Sequence, residues 1–162
     1  MRRSMEDEAV MKCGESGTGF VGVFDGHGGS FVSKFVSKQL VEEVEELKLT
    51  NSTLPEEGKE AMVKAFISCD AKLREESSTV RLGGDATKIG ATGVSCFINR
   101  THLFSSWIGD SRCVLFSNEK CVELTADHKP AGEEEKRRIM NAGGNIIRGR
   151  INGELAVARS FG

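Results

Sequence analysis

No run of basic residues, no long apolar stretch and no paired-cysteine motif occurs in this chain, and each absence removes a class of function. Lys and Arg number 22 against 24 Asp and Glu, a formal net charge of -2, and the charges are dispersed. That balance argues against a nucleic-acid partner. No apolar stretch approaches the roughly 20 residues of a membrane span. The N-terminus carries two arginines but no apolar core, so no secretory signal is expected. The five cysteines (Cys13, Cys69, Cys96, Cys113, Cys121) are odd in number, with no C-x-x-C spacing. They read as reduced thiols in a reducing compartment, buried where they lie in apolar runs, so a cytoplasmic or nuclear location is expected. No G-x-S-x-G pattern is present, so Asp127-His128 does not point to a serine-nucleophile triad. No repeat, linker or low-complexity tract divides the 162 residues, and residues 1–162 read as a single domain's worth of chain.

What is present centres on Phe20-Val21-Gly22-Val23-Phe24-Asp25-Gly26-His27-Gly28-Gly29. An apolar strand ends, an aspartate stands at its tip, and a histidine sits inside a glycine turn. A strand end is rigid, so it holds a carboxylate in place, and glycine lets a backbone carbonyl face a ligand. A carboxylate, a carbonyl and an imidazole within three residues suit a hard divalent cation with a proton donor beside it. The same run is also compatible with an ordinary Asp-Gly turn leading into a helix. Upstream, Glu6-Asp7 offers two more oxygen donors and Arg2 a guanidinium fork matched to phosphate. A charged, frayed N-terminus is the plainer reading of those residues on their own.

The pattern along the chain predicts strands over 8–13 and 19–25, joined by the Gly/Ser turn at 14–19. Ser30 is placed to cap a helix whose apolar stripe is Val32, Phe35, Val36, Leu40, Val41, Val44 and Leu47. Pro55 opens a second helix with a stripe of Met62, Val63, Phe66, Ile67 and Leu73. Residues 77–90 read as a polar, mobile loop. The period then changes. Val94, Cys96 and Ile98 alternate up to a turn at 99–101, and three further runs (103–108, 113–116, 121–124) predict a meander. A short charged helix is expected over 132–141, and Asn152-Gly153 signals a hairpin between Ile146-Ile147 and Leu155-Val157. Strands outnumber helices, and the two long helices are adjacent, which fits an α+β fold with antiparallel sheet covered by helices.

These residues carry a resemblance. The pattern R-x-x-x-E-D from Arg2 to Asp7, followed by F-D-G-H-G-G at 24–29, resembles the metal-dependent protein Ser/Thr phosphatases of the type 2C (PPM) family. The resemblance continues through Gly90-Ala91-Thr92, Ile108-Gly109-Asp110-Ser111-Arg112, Asp127-His128-Lys129-Pro130, Asn141-Ala142-Gly143-Gly144 and Leu155 to Gly162. The blocks run in the family's order over nearly the whole chain, and their ordered set is specific where each alone is weak.

The resemblance implies an antiparallel β-sandwich flanked by helix pairs, with Mg²⁺ or Mn²⁺ at one end. It implies hydrolysis of phosphoserine and phosphothreonine in protein substrates through a dinuclear centre and an activated water. Asp25 is then the carboxylate shared by both ions. The Gly26 carbonyl and Glu6, directly or through water, serve one of them, with Asp7 nearby. His27 is the general acid that protonates the leaving oxygen, and Arg2 binds the substrate phosphate. The family pattern continues beyond Ser160-Phe161-Gly162 with an aspartate and later metal-binding aspartates that this chain does not hold. The 162 residues are therefore expected to be the N-terminal part of a phosphatase domain, inactive alone and inclined to self-associate. Two other readings stay open: a non-catalytic interaction module, and a two-metal phosphohydrolase of small molecules. Outside the motif residues, Asp110 reads as a turn residue bonded to its own backbone, His102 as structural, His128 as locally hydrogen-bonded and Trp107 as a core anchor.

Overall fold

The computed structural model describes residues 4–14, 17–50, 53–79 and 88–162. Strand β1 (Glu8–Cys13) turns back into β2 (Gly19–Phe24), and Glu8 lies opposite Phe24 in an antiparallel register. Burial alternates strictly along β2. Phe20, Gly22 and Phe24 are buried while Val21 and Val23 are exposed, as a period of two requires when one face is covered. Strand β5 (Gly93–Ile98) pairs antiparallel with β2, and β6 (Leu103–Ile108) pairs antiparallel with β5, giving a sheet in the order β1-β2-β5-β6. The turn between β5 and β6 is closed by Asn99, whose Oδ1 accepts from the backbone N–H groups of Thr101 (3.0 Å) and His102 (2.7 Å).

Two helices cover one face of this sheet. Helix α1 (Phe31–Glu46) lies over β1 and β2, and α2 (Pro55–Thr79) lies over β6. Val32, Val36, Leu40 and Val44 of α1 meet Met62, Ala65, Cys69 and Leu73 of α2 and the sheet phenylalanines Phe20, Phe24, Phe97 and Phe104 in one core. Ser30 occupies the N-cap position of α1, but its side chain makes no capping bond. One charge enters the helix pair. Glu43 on α1 is buried and receives Lys72 Nζ of α2 at 2.7 Å and Gln39 Nε2 at 3.0 Å. Burial pushes its carboxyl up, but hydrogen bonds from Lys72, Ser68 and Gln39 outweigh that and hold it below the usual range.

Some expectations need correction. Val63 and Ile67 of α2 are 54% and 66% exposed, so the α2 stripe is narrower than its apolar residues suggest. Helix α2 continues through Thr79, three residues into the segment read as loop, and residues 80–87 lie outside the described residues. Beyond β6 the meander does not extend the sheet. The chain leaves it at Gly109, where φ is +100°, and β7 (Val114–Ser117) and β8 (Lys120–Glu123) form an exposed two-stranded ribbon of their own. Cys121 is consequently exposed rather than buried. After α3 (Glu133–Asn141), strands β9 (Ile146–Ile147) and β10 (Arg150–Ile151) pair around Arg148-Gly149, both at positive φ, and the chain reverses again at Asn152-Gly153, where Ile151 pairs antiparallel with Leu155, so the Asn-Gly turn is the second of two.

Phe24, fully buried at the end of β2, belongs to the core that both helices share and leads directly into Asp25. Phe24→Ala is expected to lower unfolding free energy by roughly 3–5 kcal/mol, read from the urea midpoint at unchanged m-value.

Candidate active site

Beyond β2 the chain forms β3 (Gly26–His27), which pairs with β4 (Gly90–Ala91). The Thr92 N–H donates to the Asp25 carbonyl at 2.9 Å, so Asp25 and Thr92 are a hydrogen-bonded pair. The next pair along, Gly26 and Ala91, is then of the open type, and the Gly26 carbonyl is turned away from β4. Ala91 uses its own N–H and C=O on its other side, exchanging bonds of 3.0 and 2.9 Å with Phe161. Asp25, Gly26 and His27 are thus fixed by backbone ladders contributed by three separate parts of the sequence.

Glu6 reaches the same place by a different route. Ser33, fully buried in the first turn of α1, donates its hydroxyl to the Glu6 carbonyl at 2.5 Å. That bond lays the N-terminal segment across Gly26, where a Cβ would stand 2.2 Å from the Glu6 carbonyl oxygen. Glycine is required at position 26 because two backbones cross there. The His27 ring lies over Gly90 in the same manner, since a Cβ on Gly90 would sit 2.6 Å from Nε2.

Electrostatically, burial pushes the His27 pKa below its ordinary value, and the carboxylates of Asp25, Glu6 and Asp110 act in the opposite direction without cancelling it. His27 is therefore neutral at neutral pH and surrounded by acidic groups. A cleft of about 650 Å³ opens here, lined among others by Asp25, His27, Asp110, Arg150, Asn152 and Glu154. The residues expected at the site are brought together as far as Glu6, Asp25, Gly26 and His27. Asp7, beside Glu6, is exposed, and Arg2 lies outside the described residues.

Three residues differ from their expected roles. The Asp110 carboxylate lines the cleft and pairs with Lys129 Nζ rather than with its own backbone. His128 is tied to a distant segment. Its Nδ1 accepts the Gly109 N–H at 3.1 Å, its own N–H donates to the Gly109 carbonyl at 2.9 Å, and its ring stacks on Trp107 at 6.0 Å. Trp107 is half-buried, donating Nε1 to the Ala126 carbonyl at 2.8 Å, and is not a core residue. Asp127 adds a bidentate pair with Arg112 (2.7 and 3.0 Å), so residues 126–129 grip the turn that carries Asp110. Arg150, Asn152 and Glu154 are absent from the expected site because they come from the β9–β10 hairpin and the turn that follows it, far along the chain. Only that hairpin's folding onto the cleft reveals them.

The donors around Asp25 are all oxygens, which suits a hard cation such as Mg²⁺ or Mn²⁺ in kind. In number they are short of a complete cage. Among the described residues, no group of three His, Cys, Asp or Glu side chains could hold a metal ion by itself.

The family model described as Protein phosphatase 2C matches residues 1–162. The chain belongs to the protein phosphatase 2C family. Probable protein phosphatase 2C 4 of Paramecium tetraurelia is 34% identical over 168 residues, covering 99% of this chain and 55% of that protein. Human Protein phosphatase 1B is 37% identical over 152 residues, covering 88% of this chain and 31% of its own length. Among solved structures, a C. elegans sex determining protein superposes with a TM-score of 0.84 at 30% identity, covering 99% of this chain and 41% of the other. Serine-threonine phosphatase 2C from Toxoplasma gondii shares the fold at a TM-score of 0.80 and 22% identity, covering 99% and 64%. The chain spans about half the length of the curated relatives it matches. Among the described residues, no helix is long and apolar enough to cross a membrane.

The His128 contacts predict a pH dependence. Burial first, then Arg159, lowers its pKa below the ordinary value of about 6.5, so the folded state binds fewer protons there than the unfolded chain. The stability it contributes is present above that ordinary value and is lost as pH falls through it. The urea midpoint should drop between pH 7.5 and pH 5.5. His128→Gln, which keeps an acceptor but cannot titrate, should flatten that slope.

Proposed function

We propose that this chain is the N-terminal part of the catalytic domain of a metal-dependent protein serine/threonine phosphatase. It would act on phosphoserine and phosphothreonine in protein substrates. The observation that carries this reading is the convergence of Asp25, Gly26 and His27 in one cleft, with the Glu6 backbone laid against Gly26 and its charge acting on His27, in a chain of the protein phosphatase 2C family. The residues that would hold Mg²⁺ or Mn²⁺ are Asp25 and the Gly26 carbonyl, with Glu6 and Asp7 directly or through water. Such ions supply charge neutralisation at the phosphoryl oxygens and a water that ionises near neutral pH.

The chain's own residues do the rest. Asp25 fixes the centre of negative charge at a strand tip that the ladder with Thr92 keeps rigid. His27, seated over Gly90, would deliver the proton that the leaving serine or threonine oxygen needs; burial lowers its pKa, so the protonated fraction near pH 7 is small but is the stronger acid. Arg2 would clamp the substrate phosphate with its guanidinium fork. Residues 1–162 form one unit in this reading. Their exposed sheet face, with Met11, Val21, Val23, Ile98 and Leu103, supports self-association of the isolated chain, which by itself is inactive or nearly so.

In the whole phosphatase, Asp25→Asn should remove Mn²⁺-dependent turnover of a phosphopeptide together with Mn²⁺ binding by calorimetry. Normal affinity and turnover would refute the ligand assignment. His27→Gln should slow a phosphoserine peptide by about 10²–10⁴-fold, yet barely affect p-nitrophenyl phosphate, whose leaving group needs no proton. An equal loss on both substrates would make His27 an ordering residue instead.

A further inference from the structure

Cys96 and Cys113 are the nucleophilic groups that the phosphatase reading leaves unused. Cys96 stands in the middle of β5, 5% exposed, opposite Val21 on one side and Ser105 on the other. Its neighbour Phe97 faces the helical core, so the Cys96 side chain is on the opposite face of the sheet. Cys113 follows the Gly109–Arg112 turn and is half-buried, its N–H bonded to Thr125 Oγ1 at 2.9 Å. The two Sγ atoms are 3.4 Å apart. A disulfide needs about 2.05 Å, so the sulfurs must close by little more than an ångström. Cys96 is held by ladders on both sides. Cys113 lies outside that sheet and leads into the β7–β8 ribbon, its carbonyl accepting the Leu124 N–H at 2.9 Å, so closure would move it together with that ribbon. The other thiols are elsewhere: Cys69 faces the helical core, and Cys13 and Cys121 are exposed.

We propose that Cys96 and Cys113 form a redox modification site, in which a hydroperoxide oxidises Cys113 and Cys96 resolves the product into an intramolecular disulfide. The Cys113 sulfur attacks the peroxide, the O–O bond breaks, and a sulfenic acid and one water form. The Cys96 sulfur then attacks the Cys113 sulfur, the S–O bond breaks, and the oxygen leaves as a second water carrying the Cys96 proton. Two thiols and one hydrogen peroxide give one disulfide and two waters, and the sulfurs lose the two electrons that the peroxide gains. The division of roles follows exposure. Burial, with Cys113 alongside, pushes the Cys96 thiol up to about 12, so it is a poor first target, and contact distance makes it the resolving partner. The bond would tie the turn carrying Asp110 and Ser111 to the centre of the sheet.

The test uses a chain carrying Cys13→Ser and Cys121→Ser, so that exposed thiols do not cross-link molecules. After hydrogen peroxide, thiol titration and non-reducing peptide mapping are expected to show two thiols lost and a linked peptide joining Cys96 to Cys113. Dithiothreitol should restore both. Adding Cys113→Ser should leave Cys96 reduced at the same dose. The proposal is overturned if Cys113 proceeds to sulfinic acid without linking, or if Cys96 oxidises as fast when Cys113 is replaced. Mapping of the chain that retains both cysteines decides the first point even if the Cys113 variant does not fold.

Discussion

The backbone of Ala91 and Thr92 is the constraint on which the site depends. Thr92 binds the Asp25 carbonyl, Ala91 faces Gly26, and Ala91 exchanges two hydrogen bonds with Phe161 on its other edge. Three segments that are remote in sequence are therefore registered against one another through main-chain groups alone. Side chains add little to this registration, which is why glycines can occupy so much of the site without loosening it. Phe24 and Phe161, both buried, hold the two ends of the arrangement down onto the helix pair, Phe161 with its ring 5.4 Å from that of Phe66.

Much of this was legible in the sequence. The strand ending in Asp25, the glycines after it and the helix starting at Phe31 each leave a local signature of period, turn chemistry or spacing. The α+β class follows from the order of those elements. Local signatures fail where partners are distant. Nothing near Ser33 says that its hydroxyl meets the Glu6 carbonyl, and nothing near Asp110 says that Lys129 will pair with it. The Asn-Gly signal at 152–153 was real, since both residues adopt positive φ. It closes a reversal of its own, Ile151 exchanging bonds of 2.8 and 3.2 Å with Leu155 across it, while Arg148-Gly149 makes the turn between β9 and β10. Val63 and Ile67 show the same limit in another form: an apolar stripe reveals a helix but not how much of it finds a cover.

A second network supports the cleft from its far side. Glu135 at the start of α3 receives Arg138 (2.8 Å) and Arg159 (2.6 Å), and Arg138 also bonds the Ala158 carbonyl. Burial pushes the Glu135 carboxyl up, but hydrogen bonds from both arginines outweigh it and hold the carboxyl below its usual range. Ala158 in turn donates to the His128 carbonyl at 2.8 Å. Helix α3, the segment leading to Phe161 and the grip on the Asp110 turn are therefore one connected unit, joined by charge and main-chain bonds.

The ladders that set the site are only two residues long, whereas the core is spread over four longer strands and two helices. Cooperativity scales with the surface a unit buries, so these two parts need not open together. The edge that carries Asp25 and His27 can separate from Ala91 while the helix pair stays packed. Structural integrity of the domain and readiness of its active edge are thus separate thermodynamic quantities, and a molecule that looks folded by helical signal can still be one whose site is undone.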